Sequence, residues 1–193
     1  MAEQRKSSYT ILCEGNSENA YLQNLNRFLD ANGYNFTFNA KMIGCGHFTA
    51  VQQKYRVEKR NNPKSDIRIW VDRDTYIRND CGDGEKYQEK PQYLPDFIFS
   101  VMNFEDFLAM HLDETVLENW FQVCSREKHN ITPMTEDKYL PLVRQHLFDN
   151  YEKGDTPFEI TETRLKNLFS NNAKYFFNCD FANFLQELMK QDN

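Results

Sequence analysis

The sequence predicts an α/β fold: a parallel sheet of about four strands flanked by helices, with an all-helical C-terminal extension. Three observations support this class. Short apolar runs alternate with segments of helical periodicity through the first 112 residues. The first run, 9–13, is apolar and nearly uncharged, as a buried parallel strand is. Beyond residue 112 the patterns are helical. Repeated strand–helix units imply parallel strands joined by right-handed crossovers.

The individual elements follow from local patterns. Strands are predicted where β-prone residues are bounded by turn residues, at 9–13, 34–43, 67–71 and 96–101. The first helix is expected to have Ser17 as its N-cap and to end at Asn32 and Gly33. The polar segment 79–95 contains glycines and prolines and is predicted to be a long loop. Further helices are predicted at 48–60, from 103 onward, and at 114–124, 137–151, 161–171 and 180–190.

Length and composition exclude several classes of protein. The 193 residues fit an α/β core at 8–112 and a helical region at 113–193 packed on it. Sixteen Phe and ten Tyr argue against a disordered chain. The sequence has neither a long uncharged apolar stretch nor the apolar core of a secretory signal, so we expect neither a membrane span nor export. Five scattered cysteines without a CxxC pair argue against disulfides and structural zinc, which favours a cytoplasmic protein with reduced thiols.

The charge balance restricts the partners of the protein. A formal net charge of -6 gives no general attraction for nucleic acid or for a membrane surface. A nucleic-acid ligand would therefore need a local basic patch, a bound cation or a partner protein. The second helix carries the candidates for such a patch, which are otherwise a solvated helix face. They are Lys54, Arg56, Lys59 and Arg60. The composition leaves the oligomeric state open, a homo-oligomer included.

Acidic residues follow two of the predicted strands. Glu14 comes after the first strand, and Asp72 and Asp74 come after the third. In an open parallel sheet, ligands gather beyond the carboxyl ends of the strands. Residues i and i+2 of an extended segment face the same side, so Asp72 and Asp74 are expected to act as a pair. Three carboxylates without Cys or His form an oxygen site of the kind that Mg²⁺ prefers. The alternative is ordinary turn chemistry, in which these residues only cap turns.

Three segments together resemble one known family. Segment 11–22 is similar to its "CEGxTExxY" opening, segment 67–74 to its hydrophobic strand followed by DRD, and segment 100–111 to its "SNPxFExWLLLH" motif. They occur in the family's order and cover roughly residues 8–112. On these motifs the sequence resembles the RloB-like branch of the Toprim nucleases, which are relatives of the OLD-family nucleases.

The resemblance implies a Toprim/Rossmann-like sheet and a phosphodiesterase that depends on Mg²⁺ or Mn²⁺. It implies that Asp72 and Asp74 hold the metal and that Glu14 completes the metal shell or acts as general base. Glu18, Glu105 and His111 become accessory candidates. It further implies a nucleic-acid substrate, either RNA (tRNA included) or DNA, a prokaryotic or phage-defence role, and an ATPase partner protein.

Two other functions compete with this interpretation. The chain is alternatively a non-catalytic Toprim module that acts as a docking or nucleotide-sensing subunit of an ATPase complex, with structural carboxylates. A primase-like nucleotidyl transferase ranks last, because the sequence lacks a primase zinc motif.

Overall fold

The computed structural model describes residues 6–74, 86, 93–95, 97–100, 102–129, 131–174 and 179–192. Four strands form one all-parallel sheet within these ranges: β1 (Ser7–Cys13), β2 (Phe36–Met42), β3 (Asp66–Val71) and β4 (Phe97–Phe99). The strand order is β2-β1-β3-β4. The predicted α/β fold with a parallel sheet of four strands is confirmed. Most of the predicted loop 79–95 lies outside the described residues.

Helices connect and follow the strands. α1 (Asn16–Ala31) and α2 (Phe48–Asn61) lie between the first three strands. The helices after β4 are α3 (Phe104–Ala109), α4 (Glu114–Arg126), α5 (Glu136–His146), α6 (Glu162–Lys174) and α7 (Asp180–Asp192). Within the described part of the chain after β4 the structure has no strand, as expected.

One predicted helix is too long. The expected helix at 137–151 ends at His146. Asn150 has a φ of 57°, which a right-handed helix cannot contain. The residues after α5 therefore turn back toward the carboxyl edge of the sheet, where Lys153 and Gly154 become part of the site described below.

The strand register sets the position of the acidic residues. β1 and β3 are the two central strands, and Cys13 is paired with Trp70 in the parallel ladder. Glu14 therefore leaves the sheet at the level of Val71, one residue before Asp72. This alignment places the two acidic residues at the same edge of the sheet.

The C-terminal helices share a core with the sheet. The indole of Trp70 on β3 stacks on Phe181 of α7, with ring centroids 4.1 Å apart and planes within 5°. Trp70 is fully buried, and its Nε1–H donates a hydrogen bond of 2.8 Å to Ser100. On the opposite face of the sheet, α2 packs Val51 against a separate apolar cluster that includes Ile69. The sheet thus has helices on both faces.

In the described ranges, no helix has both the length and the apolar character needed to cross a membrane.

Candidate functional site

A cavity of about 320 Å³ opens at the carboxyl edge of the sheet. Its walls come from the residues that follow β1 and β3, from the first turns of α1 and α3, and from the segment after α5. Four carboxylates and one ammonium line it: Glu14, Glu18, Asp72, Glu105 and Lys153. The site is therefore rich in negative charge in a protein that is already acidic.

Glu14 and Asp72 are joined directly. The backbone N–H of Asp72 donates a hydrogen bond of 2.8 Å to Oε1 of Glu14. The side-chain atom Oδ1 of Asp72 is buried and has no hydrogen-bond partner in the described structure. Burial raises the pKa of Asp72 well above its usual value, and the charges of Glu14, Glu18, Asp74 and Glu105 raise it further. A buried oxygen of this kind requires a proton or a cation.

Glu18 lies in the first turn of α1. That helix begins at Asn16 with Gly15 as its N-cap, so the expected cap at Ser17 is wrong. The carboxylate of Glu18 accepts a hydrogen bond of 3.2 Å from the backbone N–H of Gly15. Glu18 is only 5% exposed, and burial raises its pKa to about 6, with Glu105 adding to the shift. Such a carboxyl group exchanges its proton near neutral pH.

Glu105 reaches the cavity from α3, the helix that follows β4. It is 3% exposed, and its Oε1 accepts a hydrogen bond of 3.2 Å from the hydroxyl of Tyr151. Burial raises the pKa of Glu105 above its ordinary value. Tyr151 is itself buried and belongs to the segment after α5, so this bond ties the helical region to the site.

Lys153 is a site residue that sequence reasoning missed. Its Nζ donates a hydrogen bond of 2.9 Å to Glu136. Partial burial lowers the pKa of Lys153, but the bond to Glu136 and the negative charges of Glu105 and Asp72 outweigh this effect, so the net shift is upward. Among the described lining residues it is the one cationic side chain. The sequence contains no local signal for this role, because Lys153 stands in an irregular polar segment.

The neighbouring Gly154 fixes the position of this segment. Its backbone N–H donates a hydrogen bond of 3.0 Å to the hydroxyl of Ser17. Its φ of 100° lies in the region that favours glycine. A Cβ at this position would lie 3.4 Å from the Cβ of Asn16. Ser17 therefore holds the segment that carries Lys153 and does not cap α1.

Asp74 is not arranged as expected. β3 ends at Val71, and Arg73 and Asp74 have helical backbone. The extended geometry that would put Asp72 and Asp74 on one face is therefore absent from this described segment. The backbone N–H of Asp74 donates to Met102 at 3.1 Å. Asp74 is outside the described cavity lining, although its charge still contributes to the raised pKa of Asp72.

His111 is a core residue in the structure. It is fully buried, and its Nδ1–H donates to the carbonyl of Phe107 at 3.3 Å, while Nε2 accepts from the hydroxyl of Tyr21 at 3.0 Å. Burial lowers its pKa to about 3, which keeps the ring neutral. Although the structure describes His111, it does not bring this residue to the cavity lining.

The basic residues of α2 lie outside the cavity lining, along a helix that leads away from it. Because α2 links the parallel strands β2 and β3, it runs from the carboxyl edge of the sheet back toward the amino edge. Lys59 and Arg60 lie about 17 Å along the helix axis from Phe48, at 1.5 Å per residue. Lys54 pairs with Glu58 at 3.9 Å. Lys54, Arg56, Lys59 and Arg60 are all described, and none of them lines the cavity.

A second buried cluster has the composition of a metal site but satisfied hydrogen bonds. Asp106, Cys124 and His129 place their ligand atoms within 4.8 Å of one another, the one such group of three in the described ranges. The backbone N–H of Met134 donates to Nδ1 of His129 at 3.0 Å, so the proton is on Nε2, which contacts Asp106 at 3.1 Å. The other oxygen of Asp106 accepts from Trp120 at 2.8 Å. No ring lone pair is left for an ion, and the cluster is structural.

The cavity, in contrast, fits a hard divalent cation. Its donors are carboxylate oxygens, and Oδ1 of Asp72 lacks any other partner in the described structure. Since no three described side chains of the cavity bring their oxygens within 4.8 Å of one another, Mg²⁺ would be held directly by one or two carboxylates, with water completing its shell. Asp72 and Glu14 are the residues placed to hold it.

A scan against protein-family models, a search of curated proteins and a search of solved structures each returned no match. The family resemblance of the three sequence segments therefore stays a prediction.

Proposed function

We propose that the protein is a nuclease of the Toprim type that depends on Mg²⁺ or Mn²⁺ and hydrolyses phosphodiester bonds of RNA, tRNA included, or of DNA. The observation that carries the proposal is the buried, unpartnered Oδ1 of Asp72 in a cavity lined by carboxylates. The three sequence motifs that resemble the RloB-like nucleases support it independently, because each contributes a carboxylate to the cavity: Glu14, Asp72 and Glu105. The same resemblance supports a defence role and an ATPase partner, and the scattered cysteines without a CxxC pair support a cytoplasmic location.

Each charged residue of the cavity would have its own role in hydrolysis. Asp72 and Glu14 would hold the ion, which, when bound, polarises the scissile phosphate and offsets its developing charge. Glu18 has a pKa of about 6 and can accept the proton of an attacking water or hydroxyl group. The ammonium of Lys153, the one cation among the described lining residues, can face the phosphate. Glu105, held by Tyr151, would add negative charge to the cavity that holds the ion.

One observation favours the second candidate function, a non-catalytic docking or nucleotide-sensing module. Glu14, Glu18 and Glu105 each already accept a hydrogen bond from within the protein. Carboxylates committed in this way could serve the fold alone. The two functions differ in what Asp72→Asn does to a purified protein.

The test is cleavage of a panel of tRNA, single-stranded RNA and plasmid DNA with Mg²⁺, with Mn²⁺ and with EDTA. Asp72→Asn is compared with Asp149→Asn, since Asp149 is an exposed residue outside the cavity. We expect metal-dependent cleavage that disappears in Asp72→Asn and persists in Asp149→Asn. Cleavage that survives Asp72→Asn would contradict the proposed site. Mg²⁺ binding without cleavage of any substrate would favour the non-catalytic module.

A further inference from the structure

Tyr93 is an exposed aromatic side chain held in a defined position beside α2. It is 51% exposed. Its hydroxyl accepts a hydrogen bond of 3.1 Å from Nε2 of Gln52 and a second one from the guanidinium of Arg56. The guanidinium carbon of Arg56 also lies 5.1 Å from the centroid of the ring, within the range of a cation–π contact. The protein therefore presents a positioned aromatic ring, together with a cation, at its surface.

This ring lies between the cavity and the basic end of α2. The helix begins at Phe48, shortly after Gly44 and Cys45, which line the cavity. Gln52 and Arg56 follow at about 6 and 12 Å along the helix axis. The exposed Lys59 and Arg60 come at about 17 Å. The order along the surface is thus carboxylate cavity, aromatic ring with Arg56, and then two further cations.

We propose that Tyr93, Arg56, Lys59 and Arg60 form a binding track for single-stranded nucleic acid that leads to the cavity. A base stacks on Tyr93, while the cations contact the backbone phosphates. This inference rests on the proposed function and names the form of its substrate. Aromatic stacking with tracking cations is how proteins bind single strands without reading their sequence. A duplex would hide the base faces that the ring needs. The track also supplies a local patch of positive charge on a protein whose formal net charge is -6.

The experiment measures binding without cleavage. The protein carrying Asp72→Asn is titrated in EDTA against labelled single-stranded RNA, single-stranded DNA and a duplex, at several salt concentrations. Adding Tyr93→Ala should weaken single-strand binding about tenfold or more at every salt concentration. Tyr93→Phe should retain most of the affinity, because it keeps the ring. The two single-strand arms distinguish RNA from DNA.

Salt dependence separates stacking from charge. Tyr93→Ala should leave the slope of log affinity against log salt unchanged. Replacing Lys59 and Arg60 by Ala together should reduce that slope by about 1.4, since each phosphate contact on a single strand contributes about 0.7. Arg126→Ala, at the end of α4 and away from the track, is the matched control and should change neither quantity.

Three results would overturn the track: no binding to any single strand, equal affinity of the duplex, or full affinity of Tyr93→Ala. A thermal melt confirms that each variant is folded. These measurements also distinguish failure of the proposed nuclease function from failure of the track. Single-strand binding that needs Tyr93, without metal-dependent cleavage by the unaltered protein, overturns the nuclease and keeps the track. Cleavage and binding that are both unimpaired in Tyr93→Ala overturn the track alone.

Discussion

The backbone N–H of Asp72 donates a hydrogen bond of 2.8 Å to the carboxylate of Glu14, which joins the ends of the two central strands. The bond orients the Glu14 side chain at the carboxyl edge of the sheet. It leaves Oδ1 of Asp72 buried and without a hydrogen-bond partner in the described structure. This arrangement is electrostatically unfavourable unless a proton or a cation binds there.

A divalent cation should stabilise the protein against unfolding. Mg²⁺ at a hundred times its Kd adds about 2.7 kcal/mol to the free energy of unfolding, and each kcal/mol raises Tm by about 2–4 °C in a chain of this size. Asp72→Asn should be at least as stable as the unaltered protein in EDTA, because it removes a carboxyl group whose ionisation is unfavourable beside other carboxylates. It should lose the response to Mg²⁺, whereas Asp149→Asn should keep it. Thermal melts with and without Mg²⁺ provide the measurement, and an equal response in Asp72→Asn would place the ion elsewhere.

Glu18 should make the stability depend on pH. Its pKa rises from 4.5 in the unfolded chain to about 6 in the folded protein because the group is buried. The folded state therefore binds more protons between these values, and the free energy of unfolding falls as the pH rises from about 4.5 to 6. The loss amounts to about 2 kcal/mol above that window. In EDTA, Glu18→Gln should be more stable than the unaltered protein at pH 7 and equal to it below pH 4.5.

Urea denaturation across this pH range measures the effect of Glu18→Gln. Gln keeps an oxygen that can accept the hydrogen bond from Gly15. The exposed Glu118 on α4 provides the control, since Glu118→Gln should leave the free energy of unfolding unchanged both at pH 7 and below pH 4.5. A difference between Glu18→Gln and the unaltered protein that is the same at every pH would contradict the assigned pKa.

The Asp106 cluster should behave as a structural network and not as a metal site. Asp106→Ala would leave the buried N–H groups of Trp120 and His129 without their acceptor, together with the partly buried backbone N–H of Asn103. We expect a loss of about 3–5 kcal/mol in the free energy of unfolding, as when one partner of a buried pair is removed. Zn²⁺ should leave the Tm of the unaltered protein unchanged. Stoichiometric Zn²⁺ binding that Cys124→Ser abolishes would show that the cluster is a metal site after all.

Gly154 should matter for the position of Lys153 as well as for stability. Gly154→Ala places a side chain at a φ of 100° and 3.4 Å from Asn16. Gly33→Ala is a matched control, because Gly33 has a φ of 78° with nothing within 4 Å of the new Cβ. Both variants should lose about 1–2 kcal/mol of stability through backbone strain. Only Gly154→Ala should also reduce metal-dependent cleavage, which is measured well below Tm. Equal cleavage activity in the two variants would show that the segment carrying Lys153 does not contribute to catalysis.

Local patterns were sufficient to predict the sheet and one edge of the site. Apolar runs bounded by turn residues identify β1 and β3, and parallel neighbours end at the same edge. The sequence could therefore place Glu14 near Asp72. It failed at Asp74, because the rule that i and i+2 share a face holds only while the strand continues, and β3 ends at Val71. It could not find Lys153, since no periodicity connects an irregular segment of the helical region with the end of a strand.

The sequence by itself determined the α/β class, the succession of strands and helices, and the presence of carboxylates at the strand ends, because these depend on residues close together in the chain. Only the tertiary structure decided which side chains share the cavity. Packing of α7 on the sheet through Phe181 and Trp70, and the bonds from Tyr151 to Glu105 and from Gly154 to Ser17, bring the helical region to the site. Such contacts join residues distant in sequence, and their geometry is set by how the whole core packs.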